Sequence, residues 1–113
     1  MTRANRKPGK RSPEERKEEA LRPCAGLGYD RDALAVHLIE KEMFSLAEGQ
    51  LRRAIRLNPF EAEFKAHLAW CLYRQDKYRE AREWAQQALA QKEDANTREI
   101  LGLIQKAFGQ TSG

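Results

Sequence analysis

Two stretches of equal length decide the fold: LAVHLIEKEMFSLAEGQLRRAIRLNP at residues 34–59 and LAWCLYRQDKYREAREWAQQALAQKE at residues 68–93. When they are aligned 34 residues apart, apolar residues coincide along their length. The coinciding pairs are Leu34 and Leu68, Ala35 and Ala69, Phe44 and Tyr78, Ala47 and Ala81, Leu51 and Ala85, Ala54 and Ala88, and Ile55 and Leu89. A third copy begins 33 residues later at Leu101-Gly102. This period predicts a repeated unit of two helices, with small residues where the helices approach closely.

The apolar pattern is helical almost throughout from Asp30 onward. Asn58-Pro59 predicts the end of a helix, because proline cannot continue one. Gln75-Asp76-Lys77 forms a polar break between two further apolar stripes. No stretch alternates between apolar and polar residues as a half-buried strand would. We therefore expect an all-α fold.

The order of a Leu-Ala or Leu-Gly pair, an aromatic residue, alanines and a closing proline resembles the tetratricopeptide repeat (TPR). The units are residues 28–61, residues 62–94 and, as the first helix of a third repeat that caps the array, residues 95–108. The resemblance implies TPR-type helical hairpins stacked in a short right-handed superhelical solenoid. Arg31 and Lys65 occupy the leading Trp slot of the family, and Lys92-Glu93 replaces the closing proline of the second unit. An unrelated bundle of helical hairpins is the alternative.

The segments outside the repeats differ from them in charge. The chain has a net charge of +4, from 21 basic and 17 acidic side chains. Residues 1–11 hold five basic and no acidic side chains, so the rest of the chain has 16 basic against 17 acidic groups, a net charge of −1. The five basic residues are Arg3, Arg6, Lys7, Lys10 and Arg11. We expect residues 1–11 to be a disordered basic tail, residues 12–27 a short helix and hinge, and residues 109–113 a second disordered tail.

Composition and cysteine usage exclude several classes of protein. No apolar run approaches the ~18 residues that a membrane-spanning helix needs. No apolar stretch follows the basic N-terminus, as it would in a secretory signal peptide. Cys24 and Cys71 are too few for a disulfide-rich scaffold and lack metal-ligand spacing. We therefore expect a cytoplasmic protein with no metal or other cofactor, in which Cys71 is a small core residue and Cys24 an ordinary free thiol.

Residue types that carry out catalysis show no evident arrangement in the sequence. His37 and His67 each stand alone on the first helices of successive units, and the spacing reveals no Ser, Cys or Asp partner. Gly26-Leu27-Gly28 is short and follows no strand, unlike a phosphate-binding loop. We therefore predict no enzymatic activity and no catalytic residues.

The TPR resemblance implies a binding site instead. In that family the first helices of successive repeats line a concave groove that holds peptide segments. The corresponding positions here are Tyr29, Val36, Ile39, Glu40, Glu63, Trp70, Tyr73, Arg74 and Leu103. Trp70 and Tyr73 stand one helical turn apart, and large aromatic side chains often anchor interfaces. Packing of Trp70 against a neighbouring helix is the alternative.

The charged residues of this predicted groove limit the kinds of partner that it can bind. The acidic residues on its face are Asp32, Glu40, Glu63 and Glu99, and the basic ones are Arg74 and Lys106. A strongly acidic peptide is therefore disfavoured. The slots with which some TPR domains clamp acidic chaperone tails hold Asp32, Val36, His67, Asn96 and Ile100, so that clamp is missing. We expect a non-enzymatic adaptor, scaffold or chaperone-like module that binds an apolar or amphipathic, partly basic protein segment.

The basic tail supports an alternative function, contact with nucleic acid or an anionic surface, with the repeats as structural support. No aromatic side chains stand between the basic residues to stack on bases, so nucleic acid is the less favoured partner. A solubilising tail, or a tail that covers the acidic groove, would explain the same residues. Because two and a half units fall below the ~3 that usually give a stable array, self-association or stabilisation by a partner is also expected.

Overall fold

A computed structural model describes residues 27–111, and over this range the fold is all-α, as predicted. The helices are α1 (Tyr29–Glu40), α2 (Phe44–Leu57), α3 (Ala62–Arg74), α4 (Tyr78–Gln91) and α5 (Ala95–Thr111). No strand occurs within the described residues. Residues 1–26, with the predicted basic tail and short helix, lie outside this range, as do residues 112 and 113.

The turns that follow α1 and α3 have the same geometry, 34 residues apart. In the first, Glu42 adopts a left-handed φ of 60°, and the amide of Met43 donates a hydrogen bond of 2.8 Å to a carbonyl in the last turn of α1. In the second, Asp76 has a φ of 64°, and the amide of Lys77 donates at 2.9 Å to the equivalent carbonyl of α3. These bonds satisfy carbonyl groups that a helix end leaves unpaired. The helices therefore form two hairpins with matching turns.

Small residues let the helices of each hairpin approach closely. The buried alanines at coinciding positions are Ala35, Ala47 and Ala54 in the first hairpin and Ala69, Ala81 and Ala88 in the second. The largest fully buried side chains are Leu51, Phe64, Leu68, Cys71, Leu72 and Ile104. Each helix packs against the next one along the chain, and α3 also contacts α1 and α5. The prediction that Cys71 is a core residue is confirmed.

Phe64 joins the first hairpin to α3. Its fully buried ring meets the ring of Tyr29 edge-on, with centroids 5.1 Å apart and an interplanar angle of 74°. A Cβ atom at Gly28 would lie 2.9 Å from the Phe64 ring and 3.1 Å from the carbonyl oxygen of Ala54. The φ of 90° at Gly28 also favours glycine. This close approach fixes the start of α1 against α3.

Two departures from the sequence predictions concern the packing of one leucine and the end of the last helix. Leu34 is 44% exposed although its counterpart Leu68 is fully buried. Leu68 lies on the central helix α3, whereas no described helix precedes α1 to cover Leu34. Helix α5 continues to Thr111, so residues 109–111 are helical and not part of the predicted disordered tail. Gly109 does not end the helix, because an exposed glycine in a helix costs only about 1 kcal/mol.

Candidate functional site

The residues predicted to line a groove lie on α1, α3 and α5. Tyr29, Glu40, Glu63, Arg74 and Leu103 are exposed, and Val36, Ile39, Trp70 and Tyr73 are half-buried. Because α3 contacts both α1 and α5, the three helices are neighbours. All nine side chains therefore remain accessible to a partner to some degree.

Four side chains at the end of α3 and the start of α2 meet in what we call the aromatic–arginine cluster: Phe44, Trp70, Tyr73 and Arg74. The ring centroids of Trp70 and Tyr73 are 5.5 Å apart at an interplanar angle of 34°. The guanidinium carbon of Arg74 lies 4.7 Å from the Phe44 centroid and 5.5 Å from the Trp70 centroid. Both distances fall within the ~6 Å range of a cation–π contact. The structure thus brings together three predicted groove residues and adds Phe44.

Further ring contacts hold the cluster in place. Tyr73 meets Tyr78 at 5.8 Å, and Tyr78 meets Phe108 of α5 at 6.5 Å. The hydroxyl of Tyr78 donates to Asp76 at 2.8 Å, and this hydrogen bond raises the pKa of Tyr78. The guanidinium carbon of Arg82 lies 4.6 Å from the Phe108 centroid, a second arginine–ring contact that involves none of the four cluster residues. Rings that are packed from several helices lose little side-chain entropy when a partner binds.

Tyr29 lies apart from this cluster, at the first turn of α1. Its hydroxyl donates to Glu61, and this hydrogen bond together with partial burial raises the pKa of Tyr29 to about 12. Its ring packs against Phe64. Phe64 lies in the first turn of α3 and Arg74 at its end, ten residues or roughly 15 Å away along the helix axis. Tyr29 therefore belongs to the contact between α1 and α3 more than to the cluster.

Sequence reasoning missed an ion pair between Asp32 of α1 and His67 of α3. The Nδ1 atom of His67 lies 2.7 Å from Oδ1 of Asp32, and Asp32 is only 7% exposed. Burial of the imidazole opposes protonation, but the hydrogen bond to Asp32 and the charges of Asp32 and Glu63 outweigh it and raise the pKa of His67. The separation of 35 residues, close to the repeat period, was the available signal. Asp32 is thus not one of the acids that face a partner, as the sequence had suggested.

A cleft of about 190 Å³ lies beside His67, between the first turns of α3 and α5. Its lining includes the acidic residues Glu61, Glu63 and Asp94, together with Lys92. Asp94 accepts hydrogen bonds of 3.0 Å from the amide and the hydroxyl of Thr97, and these lower the pKa of Asp94. The cleft is smaller than the ~300–1,000 Å³ of typical small-molecule sites. Its size and charge suit one side chain of a partner better than a substrate.

The remaining predictions concern the basic tail, metal binding and membrane-spanning helices. The basic residues of the tail lie outside the described range, so their role stays a prediction. Within residues 27–111, no three His, Cys, Asp or Glu side chains are grouped so that they could hold a metal ion. None of the described helices combines the length and apolar character needed to cross a membrane.

Comparison with known proteins adds no relative: no family model, curated protein or solved structure matches the chain.

Proposed function

We propose that this chain is a TPR-type protein-binding module, a small non-enzymatic adaptor or scaffold. It binds an apolar or amphipathic, partly basic segment of another protein across α1, α3 and α5. The repeat assignment is supported by the two matching turns at Glu42 and Asp76 and by the buried alanines at 34-residue intervals. Both features are what stacked helical hairpins of one repeat family require.

The observation that carries the proposal is the aromatic–arginine cluster. Trp, Tyr and Arg are the residue types most enriched where interfaces gain their binding energy. Here Trp70 and Tyr73 are half-buried and Arg74 is exposed, in mutual contact on one helix. The rings hold one another in place but keep part of their surface open. A partner can therefore bury apolar area there without first ordering the side chains.

Charge on the three first helices supports a partly basic partner. Glu40, Glu63 and Glu99 are exposed on the three first helices, and the cleft beside His67 adds further carboxylates. Basic side chains of a bound segment would pair with these acids at the rim of the contact. Such exposed pairs contribute specificity and association rate more than affinity. The affinity is expected to come mainly from the rings.

A peptide selection tests the proposal. A displayed library of random dodecapeptides is selected on the full chain, the enriched sequences are synthesised, and their Kd values are measured by calorimetry. Trp70→Ala should weaken binding by at least about 30-fold, the effect of removing a dominant interface residue. The matched control is Trp84→Ala, which removes a half-buried Trp of α4 that packs against the core.

Both variants are first checked for native helicity by circular dichroism. The proposal predicts that Trp84→Ala retains binding to within a few fold. A selection that enriches no peptide would contradict it. So would enriched peptides that bind Trp70→Ala as tightly as the unaltered chain.

A further inference from the structure

Arg74 differs in what it contacts from the arginine and lysine residues that form ion pairs within residues 27–111. Arg52, Lys77 and Arg98 each form an ion pair with a glutamate. Arg74 is exposed and touches aromatic rings, and no carboxylate lies within ion-pair distance of it among residues 27–111. Because these ring contacts use no N–H···O hydrogen bond, the guanidinium N–H groups stay available to other acceptors.

Two hydrogen-bond donors next to Arg74 in the cluster are also left for other partners. The indole N–H of Trp70 and the hydroxyl of Tyr73 have no hydrogen-bond acceptor within the described part of the chain. Both side chains are half-buried beside the Arg74 guanidinium. The cluster thus presents a fixed positive charge and several donors, for which residues 27–111 supply no acceptor. The group of a partner that would complement this surface is an anionic hydrogen-bond acceptor next to apolar groups.

We infer that the segment bound at the aromatic–arginine cluster carries one aspartate or glutamate side chain, which accepts hydrogen bonds from Arg74 while a flanking apolar residue packs on Trp70 and Tyr73. The inference rests on the proposed function and specifies its partner. The partner is then an amphipathic segment with basic residues placed to face Glu40 and Glu63 and a single acid at one fixed position.

The carboxylate belongs to a side chain within the segment, because accessible apolar residues lie on the helices next to α3. Ile39 of α1 is half-buried and Leu103 of α5 is 40% exposed. Each of these helices contacts α3. A segment that uses both apolar residues crosses α3 and extends to either side of it. A residue within the segment, and not one of its ends, then lies over α3.

The test compares selections of the same dodecapeptide library on the full unaltered chain, on Arg74→Gln and on Arg82→Gln. Arg82 is the matched control, since it also contacts an aromatic ring, that of Phe108, and forms no ion pair within residues 27–111. The unaltered chain and Arg82→Gln should enrich Asp or Glu at one fixed distance from an apolar residue. Arg74→Gln should enrich the same apolar residue without the acid.

A synthetic peptide with the enriched sequence then completes a double-mutant cycle. Changing its acid to the corresponding amide should weaken binding to the unaltered chain by about 5- to 10-fold, the range expected for a partly exposed charged hydrogen bond. The same change should have no effect on Arg74→Gln. Arg74→Lys should not restore the preference, because an ammonium group cannot stack on the rings and donate along one edge.

The outcomes separate this inference from the proposed function. Peptides that depend on Trp70 but carry no fixed acid would overturn the inference and leave the proposed function standing. A preference for an acid that survives in Arg74→Gln would also overturn the inference and leave the proposed function standing. A selection that yields no peptide dependent on Trp70 would overturn both.

Discussion

Replacing Phe64 with alanine tests the packing that positions α1 against α3. The Phe64 side chain is fully buried, touches the Tyr29 ring edge-on and lies against the backbone at Gly28. Removing a buried phenylalanine costs about 3–5 kcal/mol through lost apolar burial and the cavity that remains. Phe60, four residues earlier, offers a matched control because it is 55% exposed.

The expected loss is large compared with the stability of the whole domain. At roughly 0.05–0.15 kcal/mol per residue, the described 85-residue range should unfold with a free energy of about 4–13 kcal/mol. Phe64→Ala therefore removes about a quarter of that free energy or more. Phe60→Ala should change it by less than about 1 kcal/mol, as is usual for exposed positions.

Urea unfolding followed by circular dichroism at 222 nm measures both changes. With a denaturant slope of about 2 kcal/mol/M, Phe64→Ala should lower the midpoint by roughly 2 M. The Phe60 variant should have a midpoint close to that of the unaltered chain. A loss below about 1 kcal/mol for Phe64→Ala, or equal losses for the two variants, would refute the packing described for α1 and α3.

Two further predictions concern a turn and a titration. Gly28→Ala should destabilise the fold by about 1–3 kcal/mol, since φ is 90° and the new Cβ would lie 2.9 Å from a core ring. Gly102→Ala, in open space on α5, should instead stabilise the fold by up to about 1 kcal/mol. Thermal melts that rank the two variants the other way would contradict this prediction. The raised pKa of His67 means that its ion pair with Asp32 stabilises the fold below the ordinary histidine pKa and that this contribution is lost as the pH rises through the folded-state pKa. The unaltered chain should therefore exceed His67→Gln in unfolding free energy by more at pH 5.5 than at pH 8.5, and a difference independent of pH would exclude a protonated pair facing Asp32 and Glu63.

The hairpins were predictable because a repeat pattern reports which side of a helix faces its neighbours. Ala47 and Ala81 coincide in the alignment, and both are fully buried, since each stands where two helices approach most closely. The break at Gln75-Asp76-Lys77 likewise marks the observed turn between α3 and α4. Local signals of this kind need no knowledge of how the helices are placed relative to one another.

The exposure of Leu34 and the contacts of Phe44 were not predictable in the same way. The sequence places Leu34 in the same register as Leu68, but burial depends on whether another helix packs over that register. Phe44 was matched with Tyr78 as the aromatic residue of the repeat, and nothing in that match indicated its contact with Arg74 of the next hairpin. Both outcomes depend on contacts between units, which the pattern within one unit does not contain.

The charge of the candidate site shows most clearly what the contacts add to the sequence. A count of charged residues treats every acid on the first helices as available to a partner. In the structure, Asp32 pairs with His67 inside the protein, and Glu61, at the start of α3, accepts a hydrogen bond from Tyr29. Arg74 has no carboxylate partner within the described residues, so the proposed function gives this one cation more weight in recognition than the acidic excess suggested. A partner that matched only the summed charge would leave this guanidinium unpaired in a partly dehydrated contact, which costs free energy and selects against such a partner.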